Sequence, residues 1–420
     1  EQIYGIGYPI IKHSAFPVPE SEVVHPGGDK SWCPSLKVIG AAHGRARSFR
    51  PTSVLNISAM SFGSLGYRAV SALNKGALVA GCYHNTGEGG ISPYHALGAD
   101  VMWQLGTGYF GARDETGRFS LDRVAEQIEQ FPQVRLIEVK LSQGAKPGKG
   151  GILPREKITK EIADIRLVEM GKDVISPPRH AEWETAEGMC EFIGRIKELT
   201  DKPVGVKFCL GNPKFLDETC RAIKSVGIGP DFMSVDGAEG GTGAAPLAHS
   251  NLLGYPMLDA LMITENKLIE YGLRDQIRLC ASGKVWTGGA LAVALAAGAD
   301  YAASARGFML SIGCIQALHC NTNFCPTGVA TQSKWLQRGL VPKVNGPRVA
   351  NYHHAVLHEF HAVLGSCGHS KSTDLSRNDL MKVIDWHNIK PMDELVPYPT
   401  GNPRPSGQEP QNLQGHDGGL

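Results

Sequence analysis

Eight short apolar runs, rich in β-forming residues and each ending in polar or glycine residues, constrain the fold of this chain most strongly. They span residues 54–58, 79–84, 100–104, 136–140, 203–208, 231–235, 277–281 and 300–305. Runs that are apolar on both sides are typical of strands buried on both faces of a parallel sheet. Helical patterns lie between most of them, at residues 66–78, 121–130, 182–199, 215–226, 258–270 and 288–297. Repeated strand–helix units indicate a parallel sheet covered by helices.

Eight such units predict an α/β fold in which the sheet closes into a (β/α)8 TIM barrel, a fold that usually needs about 250 residues. The unusual polar and glycine residues follow the strands, where such a barrel places its active site. The alternative is an open dinucleotide-binding sheet, which calls for a G-x-G-x-x-G turn after its first strand. Residues 59–66 read AMSFGSLG and do not match that turn.

The chain divides into four regions by composition. Residues 1–50 are expected to pack on the barrel, which spans 51–335 and includes a cysteine-rich loop after the eighth strand. Residues 336–398 are predicted to form a helical extension. Residues 399–420 are rich in Pro, Gly, Gln and Asn and are predicted to form a flexible tail. The insertion at 144–178 is long for a strand–helix connection, and long loops of this kind are usually functional.

Charge and cysteine content exclude several classes of protein. Lys and Arg total 42 and Asp and Glu total 41, so nothing favours a nucleic-acid partner. Ten cysteines in a chain of 420 residues indicate reduced thiols rather than a disulfide framework, so a cytoplasmic location is expected. No apolar run is long enough to span a membrane and no signal peptide is recognisable. Association with a membrane through a segment ahead of Glu1 is an alternative.

Three cysteines, Cys314, Cys320 and Cys325, follow the eighth strand with the spacing C-x5-C-x4-C, and Pro326 comes next. Iron–sulfur ligands tend to lie in such loops, where irregular backbone lets several sulfurs converge, and Pro also follows the last cysteine in ferredoxin runs. Three thiolates suit a three-iron cluster, or a four-iron cluster with one open corner. Two alternatives stay open from spacing alone. Zinc is one, with His319 completing a Cys3His set. Packing of three apolar thiols in the core is the other.

Six motifs then occur in order between about residues 50 and 335. They are ISAMSFG at 57–63, NTGEGG at 85–90, KLSQGAKPG at 140–148, ISPP at 175–178, EGGTGA at 239–244 and GCIQALHCNTNFCPTGVATQ at 313–332. Together they resemble the synthase domain of ferredoxin-dependent and other glutamate synthases. The likeness extends to short, stand-alone FMN-binding members such as the catalytic subunit of N-methylglutamate synthase. The resemblance implies FMN and a [3Fe–4S] cluster on the three cysteines.

The resemblance also assigns residues to the flavin. Ser58, Ala59, Met60 and Ser61 are expected at the isoalloxazine ring, and Asn85, Thr86 and Gln104 at its pyrimidine edge. Lys207 is the candidate for a positive charge near N1, the alternative being a lysine exposed at the strand end. The ribityl and phosphate end is expected to contact Gly240, Gly241, Thr242, Gly283, Lys284, Ala305 and Arg306. For Arg306 a surface salt bridge is an equal alternative.

The implied reaction is reductive amination of 2-oxoglutarate, through 2-iminoglutarate, to glutamate or an N-alkyl glutamate. Lys140, Lys146 and Arg166 match residues that bind the oxo-acid, with Gln143 among them. Glu88 matches the acidic residue at the ammonia and imine site, where it would position ammonia or relay a proton. For Arg166 the alternative is a charge on a helix surface.

Two departures from the larger synthases limit this interpretation. Ile152 and Lys149 stand where those enzymes carry Gln and Glu, so a substrate other than plain 2-oxoglutarate is an alternative. The chain begins Glu1-Gln2-Ile3, without the N-terminal Cys that hydrolyses glutamine. The nitrogen source is therefore expected to be ammonia or an amine that arrives as a free molecule or from another subunit.

The resemblance further implies an electron donor such as ferredoxin or a reductase subunit, and an oligomer is expected. Two other functions stay open. One is an FMN oxidoreductase acting on a different small oxo or amino acid. The other is a redox subunit that passes electrons between partners, against which the retained Glu88, Lys140 and Arg166 argue.

Overall fold

The computed structural model describes residues 5–23, 37–44, 48–241 and 245–399. The strands within them, numbered along the chain, are β1 Pro9–Ile11, β2 Leu55–Ile57, β3 His84–Asn85, β4 Val101–Leu105, β5 Val134–Lys140, β6 Ile152–Leu153, β7 Val174–Ile175, β8 Val204–Phe208, β9 Phe232–Asp236, β10 Arg278–Ser282, β11 Tyr301–Ser304, β12 Leu380–Asp385 and β13 Asn388–Pro391. Eight of these, β2–β5 and β8–β11, form a closed parallel barrel. The barrel closes where Ala302 of β11 lies beside Leu55 of β2. The predicted fold class is confirmed.

The α-helices of the described residues are α1 Tyr67–Ala80, α2 Leu121–Gln130, α3 Lys160–Arg166, α4 Ala186–Thr200, α5 Lys214–Val226, α6 Leu247–Leu252, α7 Met257–Glu270, α8 Gly288–Ala296, α9 Arg306–Ser311, α10 Lys334–Gln337, α11 Pro342–Ser366 and α12 Met392–Leu395. Several begin at a residue whose side chain accepts a backbone N–H, as Ser120, Thr185 and Thr287 do. The six helices predicted between strands are present, with ends shifted by up to four residues. None of the helices described is long and apolar enough to cross a membrane.

The second predicted strand was placed wrongly. Val79 and Ala80 end α1, which stops at Gly81 in the left-handed conformation, and the strand itself is only His84–Asn85. An apolar run at a helix end is easily mistaken for a strand, and here Leu78 and Val79 are exposed. The Gly81 cap was the available signal for the helix end.

The C-terminal extension is not only helical, which corrects the prediction for 336–398. After the long helix α11, which packs on α1 and α8, strands β12 and β13 form an antiparallel sheet with β1. The described part of the N-terminal segment therefore pairs with the extension, Ile10 lying beside Met381. The predicted flexible tail, 399–420, lies outside the described residues from 400 onward, as do 1–4 and 24–36.

The insertion after β5 folds over the carboxyl ends of the barrel strands. It contains the short antiparallel pair β6–β7, in which Ile152 lies beside Ile175, and the helix α3. These elements carry side chains from outside the barrel to the mouth formed by the loops after the strands. A cleft at this mouth is lined from both sides.

Candidate active site

The cleft at the carboxyl ends of the strands consists of two cavities that share part of their walls. Ala59, Gln143, Lys207, Gly241, Ala305 and Met309 line both. The larger cavity is bounded by the insertion, and the smaller one by the turns after β9, β10 and β11. Most of the residues predicted from the sequence line one cavity or the other, and they come from segments more than 200 residues apart.

An ion pair between Glu88 and Lys140 lies in the wall of the larger cavity. Lys140, the last residue of β5, places its Nζ 3.0 Å from Glu88 Oε1 and 3.3 Å from Gln143 Oε1. Burial alone would raise the pKa of Glu88, but Lys140, Lys146 and Arg166 outweigh burial and lower it. Glu88 is therefore held as a carboxylate among three cations.

Arg166 ends α3 and is buried, so the alternative of a surface charge is wrong. Its Nη2 donates to Phe62 O at 2.9 Å, and its guanidinium lies over the Phe110 ring at 5.2 Å. The Nε–H finds no acceptor among the described residues. Burial lowers the pKa of Arg166 to about 10, so it remains charged at neutral pH.

The glycines of the GEGG motif allow these side chains to approach the backbone. A Cβ on Gly89 would lie 2.6 Å from Arg166 Nη2. Across the site, a Cβ on Gly106 would lie 2.6 Å from Glu88 Oε2. Real Cβ atoms do not come this close, so both positions require glycine if Glu88 and Arg166 keep their places.

Lys146 differs from its neighbours in having no partner. Its side chain is buried in the cavity wall, yet in the described part of the chain no carboxylate or carbonyl accepts from its ammonium. Burial and the charge of Lys140 lower its pKa, against the opposing effect of Glu88. A buried cation without a partner is unfavourable unless an anion binds it.

Gln104 faces the cavity above a buried carboxylate. Its Nε2 donates to Glu138 Oε2 at 2.6 Å, and Glu138 also accepts from Asn85 and from Ser234. No donor from the described residues reaches Gln104 Oε1, so this oxygen is open to a ligand N–H. Glu138 stands in the apolar strand β5, and a charge in such a strand was a signal that the sequence interpretation missed.

Asn85 and Thr86 do not reach either cavity. Asn85 donates to Glu138 and accepts from Gly87 N at 2.9 Å. Thr86 donates to Gly87 O and accepts from Gln104 N. Both side chains therefore support Gln104 from behind, and the expected contact of Asn85 and Thr86 with a flavin stays a prediction.

Lys207 of β8 is buried between the two cavities, so the alternative of an exposed lysine is wrong. Its Nζ lies 3.5 Å from Asp236 Oδ2. Burial alone would lower its pKa, but Asp236 and Glu138 outweigh burial and raise it. A permanent positive charge thus stands at the centre of the cleft.

The smaller cavity has a basic and glycine-rich wall. Gly283 and Lys284 after β10, and Ala305 and Arg306 after β11, line it together with Ser58 and Gly240. No carboxylate of the described residues pairs with Arg306, and a Cβ on Gly241 would lie 1.8 Å from Arg306 Nη2. The predicted contact Thr242 lies outside the described residues. The two cations and the glycines suit an anionic group.

The remaining predicted residues of the first loop also reach the cleft. Met60 and Ser61 line the larger cavity, and Ala59 lines both. His180 was not predicted. It accepts from Tyr109 OH at 3.0 Å through Nδ1 and donates to Lys140 O at 2.9 Å through Nε2. It thereby fixes the backbone that carries Lys140.

The cysteine loop lies against the larger cavity, which Cys320 lines. Cys325 is buried, whereas Cys314 and Cys320 are partly exposed. Burial alone would raise the pKa of Cys325, but hydrogen bonds from the backbone of Ala330, Thr327 and Val329 outweigh it and lower the pKa. In the described ranges no three Cys, His, Asp or Glu side chains converge as a metal site, and the His319 side chain is exposed.

A buried lysine adjoins this loop. Lys157, from the insertion, is 1% exposed, and its ammonium donates to Cys320 O at 3.0 Å. Burial lowers the pKa of Lys157 to about 8, although Cys320 and Cys325 act to raise it. The cation beside the cysteines fits an anionic sulfur site; the pKa of Cys325 is lowered, whereas burial raises the pKa of Cys320.

Comparisons with known proteins agree with this arrangement. A family model described as the conserved region in glutamate synthase matches residues 39–370. The glutamate synthase large subunit-like protein YerD of Bacillus subtilis is 44% identical over 319 residues, 76% of this chain and 60% of that protein. The archaeal-type glutamate synthase (NADPH) of Thermotoga maritima is 31% identical over 337 residues, 79% of this chain and 63% of that protein. The chain thus spans less than two thirds of their length.

Solved structures with the same fold are more distant. A mandelate oxidase variant with (S)-mandelic acid has a TM-score of 0.53 at 14% identity, covering 91% of this chain and 86% of that one. A flavocytochrome b2 variant with sulfite bound also has a TM-score of 0.53, at 13% identity, covering 89% and 75%. At this identity the likeness supports the barrel and carries no argument about chemistry.

Proposed function

Because the chain belongs to the glutamate synthase family, we propose that it is an FMN-dependent oxidoreductase that reductively aminates a 2-oxo acid with ammonia or an amine. The observation that carries this proposal is the partly buried Glu88–Lys140 pair beside Lys146, which has no partner among the described residues, and Arg166, whose Nε–H has none. This arrangement offers cations for carboxylates and one carboxylate for an amine at the same cavity.

The residues of the cleft fit FMN in three places. Gln104 Oε1 is open to the N–H of the flavin pyrimidine, while Glu138 fixes the other end of the amide. Lys207 would place positive charge near the ring, and Lys284 and Arg306 would bind the phosphate. FMN bound there, once reduced by the electron donor, would supply a hydride to an electron-poor carbon. In this proposal Asn85 and Thr86 act through Gln104 rather than by direct contact.

Binding and orientation of the oxo acid fall to Lys146 and Arg166. Each has a donor without an acceptor within the described chain, so a carboxylate gains a charge-assisted hydrogen bond from each without breaking an existing one. The Phe110 ring beneath Arg166 holds the guanidinium plane in position. Two cations on one wall would also orient the reacting carbon.

Glu88 would handle the nitrogen. Since Lys140, Lys146 and Arg166 lower its pKa, Glu88 is ionised and would position ammonia or an amine by accepting a hydrogen bond from its N–H. Lys140 Nζ, 3.0 Å from Glu88 Oε1, would donate a hydrogen bond to a substrate in the same cavity. His180 keeps Lys140 in place through its backbone carbonyl.

We further propose that Cys314, Cys320 and Cys325 hold an iron–sulfur cluster of the [3Fe–4S] type, which would supply one-electron transfer from a ferredoxin or a reductase subunit. The buried ammonium of Lys157, which donates to Cys320 O at 3.0 Å, supports negative charge on the sulfurs there. Iron and sulfide analysis of anaerobically purified protein tests this. Finding one zinc per chain and no iron would contradict the cluster and show a zinc site instead.

One observation favours a substrate other than 2-oxoglutarate. Ile152, where the larger synthases carry Gln, is 44% exposed and lines the larger cavity beside Leu153 and Val174. An apolar wall next to the two cations suits an oxo acid, or an amine, with an alkyl substituent. If this is right, Ile152→Gln improves turnover of 2-oxoglutarate relative to an alkyl-bearing substrate. An unchanged ratio would leave Ile152 without a role in specificity.

The decisive experiment follows reoxidation of the reduced flavin under anaerobic conditions. Reduced protein is mixed with 2-oxoglutarate plus ammonia, with 2-oxoglutarate plus methylamine, and with 2-oxoglutarate alone. Acceleration that depends on the amine supports the proposal, and the product identifies the nitrogen source. A purified protein without a flavin spectrum contradicts FMN dependence. No acceleration with either amine favours a different small acid.

A further inference from the structure

Lys157 is a buried lysine at which three separate segments meet. Its Nζ donates to Ser64 O at 2.5 Å, to Cys320 O at 3.0 Å and to Ala330 O at 3.1 Å. The ammonium group has three protons, and each has one backbone acceptor. Ser64 belongs to the loop after β2 that walls the larger cavity, whereas Cys320 and Ala330 belong to the cysteine loop and its continuation.

The charge of Lys157 is not balanced by a carboxylate. Within the described ranges no Asp or Glu lies at ion-pair distance, and the side chain is only 1% exposed. By contrast, the buried Lys197 pairs with Asp231 at 2.9 Å. Burying a cation without an anion beside it is unfavourable. Negative charge on the neighbouring sulfurs would offset the cost of burying the Lys157 ammonium.

The backbone conformation of the cysteine loop is one that needs contacts from outside the loop to hold it. Gln316, Leu318 and Asn323 all have positive φ, between 56° and 67°, a conformation that non-glycine residues adopt at a cost. Asn323 is held by its own bonds, donating to Glu156 O next to Lys157 and accepting from Gln332 N. The insertion therefore contacts the cysteine loop at two adjacent residues.

We propose that Lys157 is a positioning residue that ties the loop after β2, through Ser64, to the cysteine loop and supplies the positive charge which stabilises the reduced cluster. This inference rests on the proposed iron–sulfur site. One-electron reduction adds one negative charge to the cluster, and a fixed cation beside Cys320 favours that state. Backbone carbonyls take all three protons of the Lys157 ammonium, so none is left for a substrate in the larger cavity.

The test compares the wild type with Lys157→Met, Lys157→Gln and Lys157→Arg as purified holoproteins. Lys160→Met, an 82% exposed lysine in the following helix, is the control. Iron and flavin content are measured first, and then the cluster is titrated with redox mediators and followed by electron paramagnetic resonance. Removal of the charge is expected to lower the ratio of reduced to oxidised cluster at a fixed potential at least tenfold, about 59 mV for one electron. Lys157→Arg and the control are expected to stay near the wild type.

An unchanged titration of Lys157→Met or Lys157→Gln, with full iron content, overturns the role of Lys157 while leaving the cluster in place. A wild type without iron overturns the cluster and this inference with it. If both neutral variants lose iron, Lys157→Arg decides. Retention of iron by the Arg variant alone supports a requirement for charge, and equal loss in all three shows that only shape matters and overturns the inference.

Discussion

The two ends of the barrel differ in how their buried charges are balanced. At the amino-terminal end of the strands, Arg274 contacts Asp300 at 2.9 Å and Arg377 contacts Glu265 at 2.8 Å, all with side chains at most 4% exposed. At the carboxyl end Lys140 and Lys207 have carboxylate partners, but Lys146 and Lys157 are buried without one among the described residues.

This difference separates charges that hold the fold from charges that await a ligand. Paired and hydrogen-bonded charges can be buried at little net cost, and removing one partner is strongly destabilising. Unpartnered charges cost stability that an anionic ligand recovers on binding. The amino-terminal end therefore belongs to the scaffold, and the carboxyl end to the function.

The largest expected effect is on the scaffold. Arg274→Met leaves Asp300 buried without its main partner and is expected to lower the free energy of unfolding by about 3–5 kcal/mol. Urea unfolding measures this. Arg135→Met removes an exposed pair with Asp100, 52% and 30% exposed, and should cost about 0–1 kcal/mol. Equal losses in both variants would contradict the distinction between buried and exposed pairs.

The same network sets a pH dependence. Burial alone would raise the pKa of Asp300, but Arg274 and Lys37 outweigh it and hold the pKa well below 3.8. A depressed pKa gives stability that is present above 3.8 and is lost as pH falls through the lower folded value. The stability difference between the wild type and Asp300→Asn should therefore shrink below pH 4. A difference constant from pH 6 to pH 3 would show that Asp300 acts by shape alone.

In the cleft, removal of a charge should reduce activity without reducing stability. Lys146→Met loses one charge-assisted hydrogen bond to substrate, about 1.5–3 kcal/mol, so kcat/KM for the oxo acid should fall about 10–100-fold. The free energy of unfolding of the ligand-free protein should stay the same or rise, because an unpartnered charge is gone. Lys160→Met controls for surface charge. A destabilised Lys146→Met would mean that Lys146 has a structural partner.

A smaller effect is expected beneath the flavin. Glu138→Gln places an amide where Asn85, Gln104 and Ser234 all donate, so one donor loses its acceptor. FMN should bind about 5–10-fold more weakly, in line with about 1 kcal/mol for one hydrogen bond. Fluorescence titration of the apoprotein with FMN measures the affinity. Unchanged affinity would remove Glu138 from the support of Gln104.

The sequence by itself determined the barrel and which segments approach the cleft. Strand periodicity and helix caps are local properties, so seven strands and the helices between them were found from the chain alone. The family resemblance of the motifs named Glu88, Lys140, Lys146 and Arg166 together, and the structure brings all four to the wall of the larger cavity.

Only the tertiary structure decided which side chains are buried and which groups they bond to. Exposed positions for Arg166 and Lys207 could be excluded only from the structure, because residues far along the chain bury both side chains. The side chain of Asn85 donates to Glu138 and that of Thr86 donates to Gly87 O, and no local sequence pattern reveals these partners. The ammonium of Lys157 reaches acceptors 93, 163 and 173 residues away. Such pairings are set by packing between distant segments, and spacing along the sequence does not encode them.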